Sequence, residues 1–161
     1  MTALYVHFAV GLGFLALCFY VNRYLYRSGW AGSQLTALEG LYYLIAVCSF
    51  ALGYYFNVQY VQTYGAEAGW VHFTRLLFTN PAASSGSQDL VTTNVLLFPL
   101  WTIIDGRRSG MRQPWVYFVL SLLTSFGFAM GLYLAVHERQ LRWLKTQGTA
   151  LPAGAGRLSA A

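Results

Sequence analysis

Trp115 to Val136, WVYFVLSLLTSFGFAMGLYLAV, runs without one charged side chain. At 1.5 Å rise per residue, that is enough helix to cross a hydrocarbon core of about 30 Å. A water-soluble domain of this size cannot hide several such runs, because about a quarter of its residues normally carry charge to wet the surface. Here the charged share is 9% and the hydrophobic share 57%. The sequence therefore requires a bilayer as its main solvent. A disordered chain, a disulfide-framed secreted module and an ordinary cytosolic enzyme are excluded. The net charge of +5 does not point to nucleic acid, because the basic residues flank apolar runs instead of forming a stripe.

The expected fold is all-α: an integral membrane bundle of four transmembrane helices, one domain over residues 1–146, with a flexible Gly/Ala-rich tail over 147–161. Spans are expected at about 4–26, 35–60, 85–104 and 115–136. The apolar core of the third, Leu90 to Ile104, is too short to cross upright, so the helix must extend back towards Ser85 and take in Asp89. Asn80-Pro81 upstream reads as an N-cap followed by proline in the first turn. Pro99, in mid-span, is expected to kink the helix.

In the long second connection, Glu67 to Phe78 places Trp70, Phe73 and Leu77 on one face, away from Glu67 and Arg75. That pattern suits a helix lying in the membrane interface. No basic residue precedes the first apolar run and no A-x-A-like site follows it, so it reads as a mature helix and not a cleaved signal. With four spans, Arg23, Arg27, Arg107, Arg108 and Arg112 fall on one side, and Arg75, Arg139, Arg142, Lys145 and Arg157 on the other. That charge count is balanced. The first span, with two arginines after it, tips the expectation to both termini outside the cytoplasm.

Ionisable groups at membrane depth are costly, so each is a functional candidate. Asp89 shares a helix face with Thr92 and Thr93, and it is either a proton-transfer or binding group or a helix-start cap in head-group water. Asn94 reads as a hydrogen bond between helices. Glu39, beside Gly40 at the start of the second span, is the other acidic candidate and suits an interfacial position. Asp105 beside Gly106-Arg107-Arg108 is expected to form an ion pair that fixes a tight turn, or with Arg112 to meet lipid head groups.

Four spans would place His7, His72 and His137 on one side, a weak candidate for a metal, haem or pigment ligand set. No local pair such as H-x-x-x-H supports it, and no metal site is expected. Cys18 and Cys48 are single residues without a C-x-x-C and read as core. Many tyrosines lie at span ends as an interfacial belt, while Tyr42, Tyr43 and Phe50 lie deeper and can wall a flat or polyene ligand. Gly127-x-x-x-Gly131, preceded by Ser121-x-x-x-Ser125, marks a face where helices approach closely.

From about residue 44 to 143 the chain resembles a bacterial multi-pass membrane family, the family of unknown function 2834. The residues that carry the likeness are Tyr54-Tyr55-Phe56 with Gln59, and Phe78-Thr79-Asn80-Pro81-Ala82-Ala83-Ser84. Asp89-Leu90, Asp105-Gly106-Arg107-Arg108-x-Gly110-Met111-Arg112, Leu132-Tyr133-Leu134 and Glu138-Arg139 follow. The resemblance implies a small multi-pass protein of a prokaryotic plasma membrane or thylakoid-type membrane, and no particular reaction.

Phosphate loops, nucleophile elbows and paired zinc ligands are absent from the sequence. The favoured expectation is a non-enzymatic accessory subunit of a larger membrane complex. It would bind a lipid, quinone or carotenoid, with Asp89, Thr93, Asn94, Tyr42, Tyr43 and Phe50 around it, and pair with a protein partner or a second copy. A second reading is a cyclase or isomerase acting on an isoprenoid or lipid, with Asp89, or less well Glu39, as proton donor and aromatic walls for cationic intermediates. A third is a small channel or transporter subunit in which Asp89, Thr93 and Asn94 line a wet path.

Overall fold

The computed structural model describes residues 2–27 and 35–148. Arg157 and most of the tail read as flexible lie outside them. The described chain is helical, with no strand among the described residues. Helix α1 (Thr2–Val21) ends in a tight turn over Arg23–Tyr26. Helix α2 (Ala37–Tyr64) begins where Thr36 Oγ1 accepts from the Glu39 amide and stops at Gly65, whose φ of 52° suits a residue without Cβ. The stretch Ala37–Glu67 is apolar and long enough to cross a membrane, and 6% of its most apolar window is buried.

A short helix α3 (Trp70–Leu77) follows, and then α4 (Pro81–Val91), which starts as its sequence dictates. Asn80 Oδ1 accepts from Ala83 N at 2.9 Å, and Pro81 occupies the first turn, where its missing amide proton costs least. The helix runs on without a break through a wider π turn (Thr92–Leu97) into α5 (Phe98–Arg108). Pro99 lacks the amide proton that an α-helix needs at that point, and the widened turn directly ahead of it takes up the mismatch.

The stretch expected as one fourth span is two helices, α6 (Val116–Leu123) and α7 (Phe126–Thr146). They are separated by Thr124 (φ −130°, ψ −96°) and Ser125 (φ −150°, ψ 153°). Both hydroxyls serve the break: Thr124 donates to the Leu120 carbonyl at 2.6 Å, and Ser125 accepts from the Phe128 amide at 3.2 Å. Serine and threonine compete in this way with the helical ladder, and neither residue leaves a charge as a signal.

The two pieces do not continue in line. Tyr117 on α6 packs ring to ring on Tyr133 of α7, so the chain doubles back at Thr124–Ser125. Helix α7 therefore runs beside α5 in the same direction, with Phe126 on Phe98, Tyr133 on Trp101 and Gln140 on Ser109. It runs against α2, with Ser125 on Ser49 and Arg139 on Glu39. The hairpin tip reaches Gly11 of α1 and Gly53 of α2, about halfway along both.

This corrects the chain ends. Tyr24, just after α1, meets Gln140 and Trp143, whereas His7, near the start of α1, meets Trp70 of α3. The start of α1 and the end of α7 thus lie at opposite ends of the bundle, not on one side. Small residues make the central packing close. A Cβ on Gly131 would stand 2.9 Å from the Tyr42 carbonyl oxygen and 3.0 Å from Ala46 N, and one on Gly127 would strike Ser49. Around this seam Val116, Tyr117, Leu120, Ala129, Leu132, Tyr133 and Val136 are buried, so α6 and α7 form the core, with α1, α2 and α5 packed around it.

Candidate functional site

Glu39 is the most buried acidic side chain, with none of its surface exposed. The first turn of α2 points it at the last turns of α7, where Arg139 and Arg142, three apart, share a helix face. Arg139 Nε donates to Glu39 Oε1 at 2.7 Å, and Arg142 Nη2 meets the other oxygen in a very close ion pair. Arg142 also donates to Thr36 Oγ1 at 3.1 Å and lies 3.7 Å from Glu138. The Arg139 guanidinium sits 4.5 Å over the Tyr26 ring, and the Tyr26 and Tyr43 hydroxyls are 2.8 Å apart. A carboxylate can lie this deep because each oxygen faces a cation. Glu39, expected near the membrane interface, lies at one end of the bundle and is the centre of a buried ion cluster there. The signal in the sequence was the pair Arg139 and Arg142 closing an otherwise apolar helix.

A second cluster lies beside it. Asp105 Oδ2 accepts from the Tyr133 hydroxyl at 2.8 Å, and His137 Nε2 is 3.2 Å away without hydrogen-bond alignment. His137 lies one residue beyond the apolar run ending at Val136. Burial pushes its imidazole down from the ordinary value, and the charges of Asp105 and Glu138 oppose that shift. Asp105 was expected to pair with Arg107 and Arg108. Its carboxylate turns to α7 instead, and both arginines point outward, exposed. Gly106, beside Asp105, lets Pro114 pack against α5, since a Cβ there would come 2.5 Å from Pro114 Cβ. Arg112 stacks 4.6 Å over the Tyr24 ring.

At half depth the polar groups pair among themselves. Ser121 donates to Asn94 Oδ1 at 2.8 Å, joining the hairpin to the π turn, and the Ser49 and Ser125 hydroxyls are 3.2 Å apart. Thr93 is half-buried beside Asn94. Phe50 packs on Phe8, Tyr54 and Phe128 and lines a cavity of about 20 Å³ with His7, Asn57 and Thr124, room for about one water. Tyr43 is tied to Tyr26, and Tyr42 offers its carbonyl to the Gly131 seam.

Asp89 is exposed near the start of the long helix, and Gln88, its neighbour, is its hydrogen-bond donor. It is joined to neither acidic cluster. His72 stacks on Tyr60 and meets Tyr64 edge-on, and His7 meets Trp70 edge-on, whereas His137 lies at the far end of the bundle. The three imidazoles are not on one side, and the described residues hold no group of three His, Cys, Asp or Glu suited to a metal ion. Cys18 is buried and Cys48 exposed, and neither is paired.

The arrangement joins helices by buried charge and hydroxyl pairs and leaves apolar surface outside. No curated protein and no solved structure matches the chain. Residues 41–139, more than half of its length, match the family described as protein of unknown function DUF2834, a stretch that holds Asp89, the Asp105–Arg112 turn, α6 and α7 as far as Arg139, and the chain belongs to that family.

Proposed function

We propose that the chain is a multi-pass membrane protein acting as a non-enzymatic accessory subunit, which holds a long apolar molecule of the lipid, quinone or carotenoid kind. In this reading α1, α2 and the Pro81–Arg108 helix each cross the bilayer. The α6–α7 hairpin enters from the end that carries Glu39 and returns to it. A backbone break at membrane depth is tolerated where protein surrounds it, and Thr124 and Ser125 are enclosed by Gly11, Ser49 and Gly53.

The observation that carries the proposal is the contrast between interior and surface. Glu39, Asp105, Asn94 and Ser121 are held by other side chains. Along α2, Leu41, Leu44, Val47, Leu52, Tyr55 and Phe56 face outward. An apolar face this long needs lipid, a bound apolar molecule or a partner helix against it. Beyond the hairpin tip the bundle is thinner by one hairpin, which leaves apolar flanks of α1 and α2 for such a molecule.

The test is extraction from the native membrane in mild detergent, followed by intact assembly mass and the absorbance and mass spectra of what co-purifies. A stable larger complex, or a stoichiometric pigment, quinone or lipid, supports the proposal. A lone 18.0 kDa chain carrying bulk lipid alone overturns it.

A further inference from the structure

The fold-back of α6 on α7 gathers charge. Every described Arg and Lys except Arg75 lies at the end of the bundle that holds Glu39, Asp105 and the close of α7. The opposite end holds Arg75 with Glu67 and Asp89. At the basic end the acids are already engaged: Glu39 by Arg139 and Arg142, Asp105 by Tyr133 and His137, Glu138 beside Arg142. Arg23, Arg27, Arg107, Arg108, Arg112 and Lys145 are exposed, and none of them has an acidic partner among the described residues.

Arg107 and Arg108 close α5, and Arg112 follows them on a braced loop. After Arg108 the chain turns through Gly110 (φ 72°) and Gln113 (φ 51°), the second a conformation that side chains rarely adopt. Buried Met111 anchors the loop, Gln140 Nε2 donates to the Ser109 carbonyl at 2.9 Å, and Trp115 Nε1 donates to Gln113 Oε1 at 2.7 Å. The Arg112 and Arg23 guanidiniums sit over the Tyr24 and Tyr20 rings, 4.6 and 4.4 Å from the centroids. A guanidinium fork held in this way matches two phosphate oxygens at once.

We infer that the basic end, centred on Arg107, Arg108 and Arg112, binds the phosphate groups of anionic lipids in the cytoplasmic leaflet. The start of α1 then faces outward and the end of α7 inward. Charge complementarity names the occupant: cytoplasmic flanks of membrane helices collect Arg and Lys, and that leaflet is anionic. The inference rests on the membrane reading above.

Two measurements test it. Native mass spectrometry compares retention of phosphatidylglycerol and phosphatidylcholine by the full chain, by the R107Q/R108Q/R112Q variant and by R75Q, with circular dichroism confirming that each is folded. The expected result is a preference for phosphatidylglycerol of at least about fivefold, abolished in the triple variant and kept in R75Q. Equal retention of the two lipids, or a preference that survives the triple substitution, overturns the inference.

Lys145 is the sole lysine in the sequence, so a membrane-impermeant amine reagent, with the modified site identified by peptide mapping, reports the side on which the end of α7 lies. On intact cells Lys145, read by peptide mapping apart from the α-amino group, is expected to stay unlabelled and to react once inside-out vesicles are made; modification of Lys145 itself on intact cells overturns the inference. A carbonate wash separates the two failures. A chain that stays in the pellet without lipid preference refutes the inference alone, whereas a chain that is washed off removes the membrane reading with it.

Discussion

The rings of Tyr117 and Tyr133 meet edge to face with centroids 5.3 Å apart. In one continuous helix about 24 Å of rise would separate them. Their contact makes α6 and the first half of α7 antiparallel neighbours, and nearly everything distinctive about the molecule follows from that. The C-terminal charges move to the far end, Arg139 and Arg142 reach Glu39, and the most apolar stretch becomes the interior.

Spin labels test the hairpin. With Cys18 and Cys48 replaced by Ala, Arg23→Cys and Lys145→Cys carry nitroxides for a pulsed electron-resonance distance. The fold-back places both labels at one end, so the distance is expected below the bilayer core of about 30 Å. A distance at or above that thickness restores a continuous fourth helix.

Breaking the buried ion cluster is expected to be costly. Glu39→Gln strands Arg139, which is 1% exposed, and should destabilise the chain by about 3 kcal/mol in detergent unfolding. The E39L/R139L double variant should recover most of that loss, because two apolar side chains need no charge partner and Arg142 retains Glu138. A double variant as damaged as Glu39→Gln contradicts this account.

Gly131→Val should separate α2 from α7. The nearest neighbours at that position are backbone atoms, the Tyr42 carbonyl and the Ala46 amide, which cannot rotate out of the way as a side-chain tip would. The expected cost is about 1–3 kcal/mol, with lower yield of folded protein. Gly13→Val, where nothing lies within 4 Å of the Cβ position, is the matched control and should behave as wild type.

The Asn94–Ser121 hydrogen bond joins the π turn to the hairpin. Ser121→Ala should cost about 0.6–1.7 kcal/mol in thermal unfolding, the range for such bonds between helices in membranes. A double-mutant cycle with Asn94→Ala should return a coupling of that size. Simple additivity of the two substitutions would show that the bond contributes nothing.

His137 gives a pH dependence of known sign. Its imidazole is pushed below the ordinary 6.5 in the folded chain, so around and below that pH the unfolded state binds more protons. Stability should therefore fall as pH drops through about 6.5. His137→Asn, measured from pH 7.5 to 5.5, should flatten that part of the slope, and an unchanged slope assigns it to another group.

Local chemistry was legible in the residues themselves. Asn80-Pro81 started a helix as read, and the apolar run from Leu41 onward gave one long enough to cross a membrane. Pro99 announced a disturbance, though not that the chain would widen into a π turn ahead of it. The fourth apolar run concealed its break because Thr124 and Ser125 are small and uncharged and barely lower the hydropathy. The acidic candidates were harder still. Asp89 drew attention by its position in a span yet lies exposed, while Glu39 seemed ordinary and lies buried.

By itself, then, the sequence determined an all-α fold, its apolar segments, the helix start at Asn80, and the small-residue face at Gly127 and Gly131. These depend on neighbours within a turn or two, where propensity, capping and hydropathy act. Tertiary structure alone decided that α6 folds back, that the start of α1 and the end of α7 lie at opposite ends, and which charges meet. The physical reason is one of range. The Glu39–Arg139 bond joins residues 100 apart in the chain, and the four backbone dihedrals of Thr124 and Ser125 choose the end of the bundle at which that bond can form.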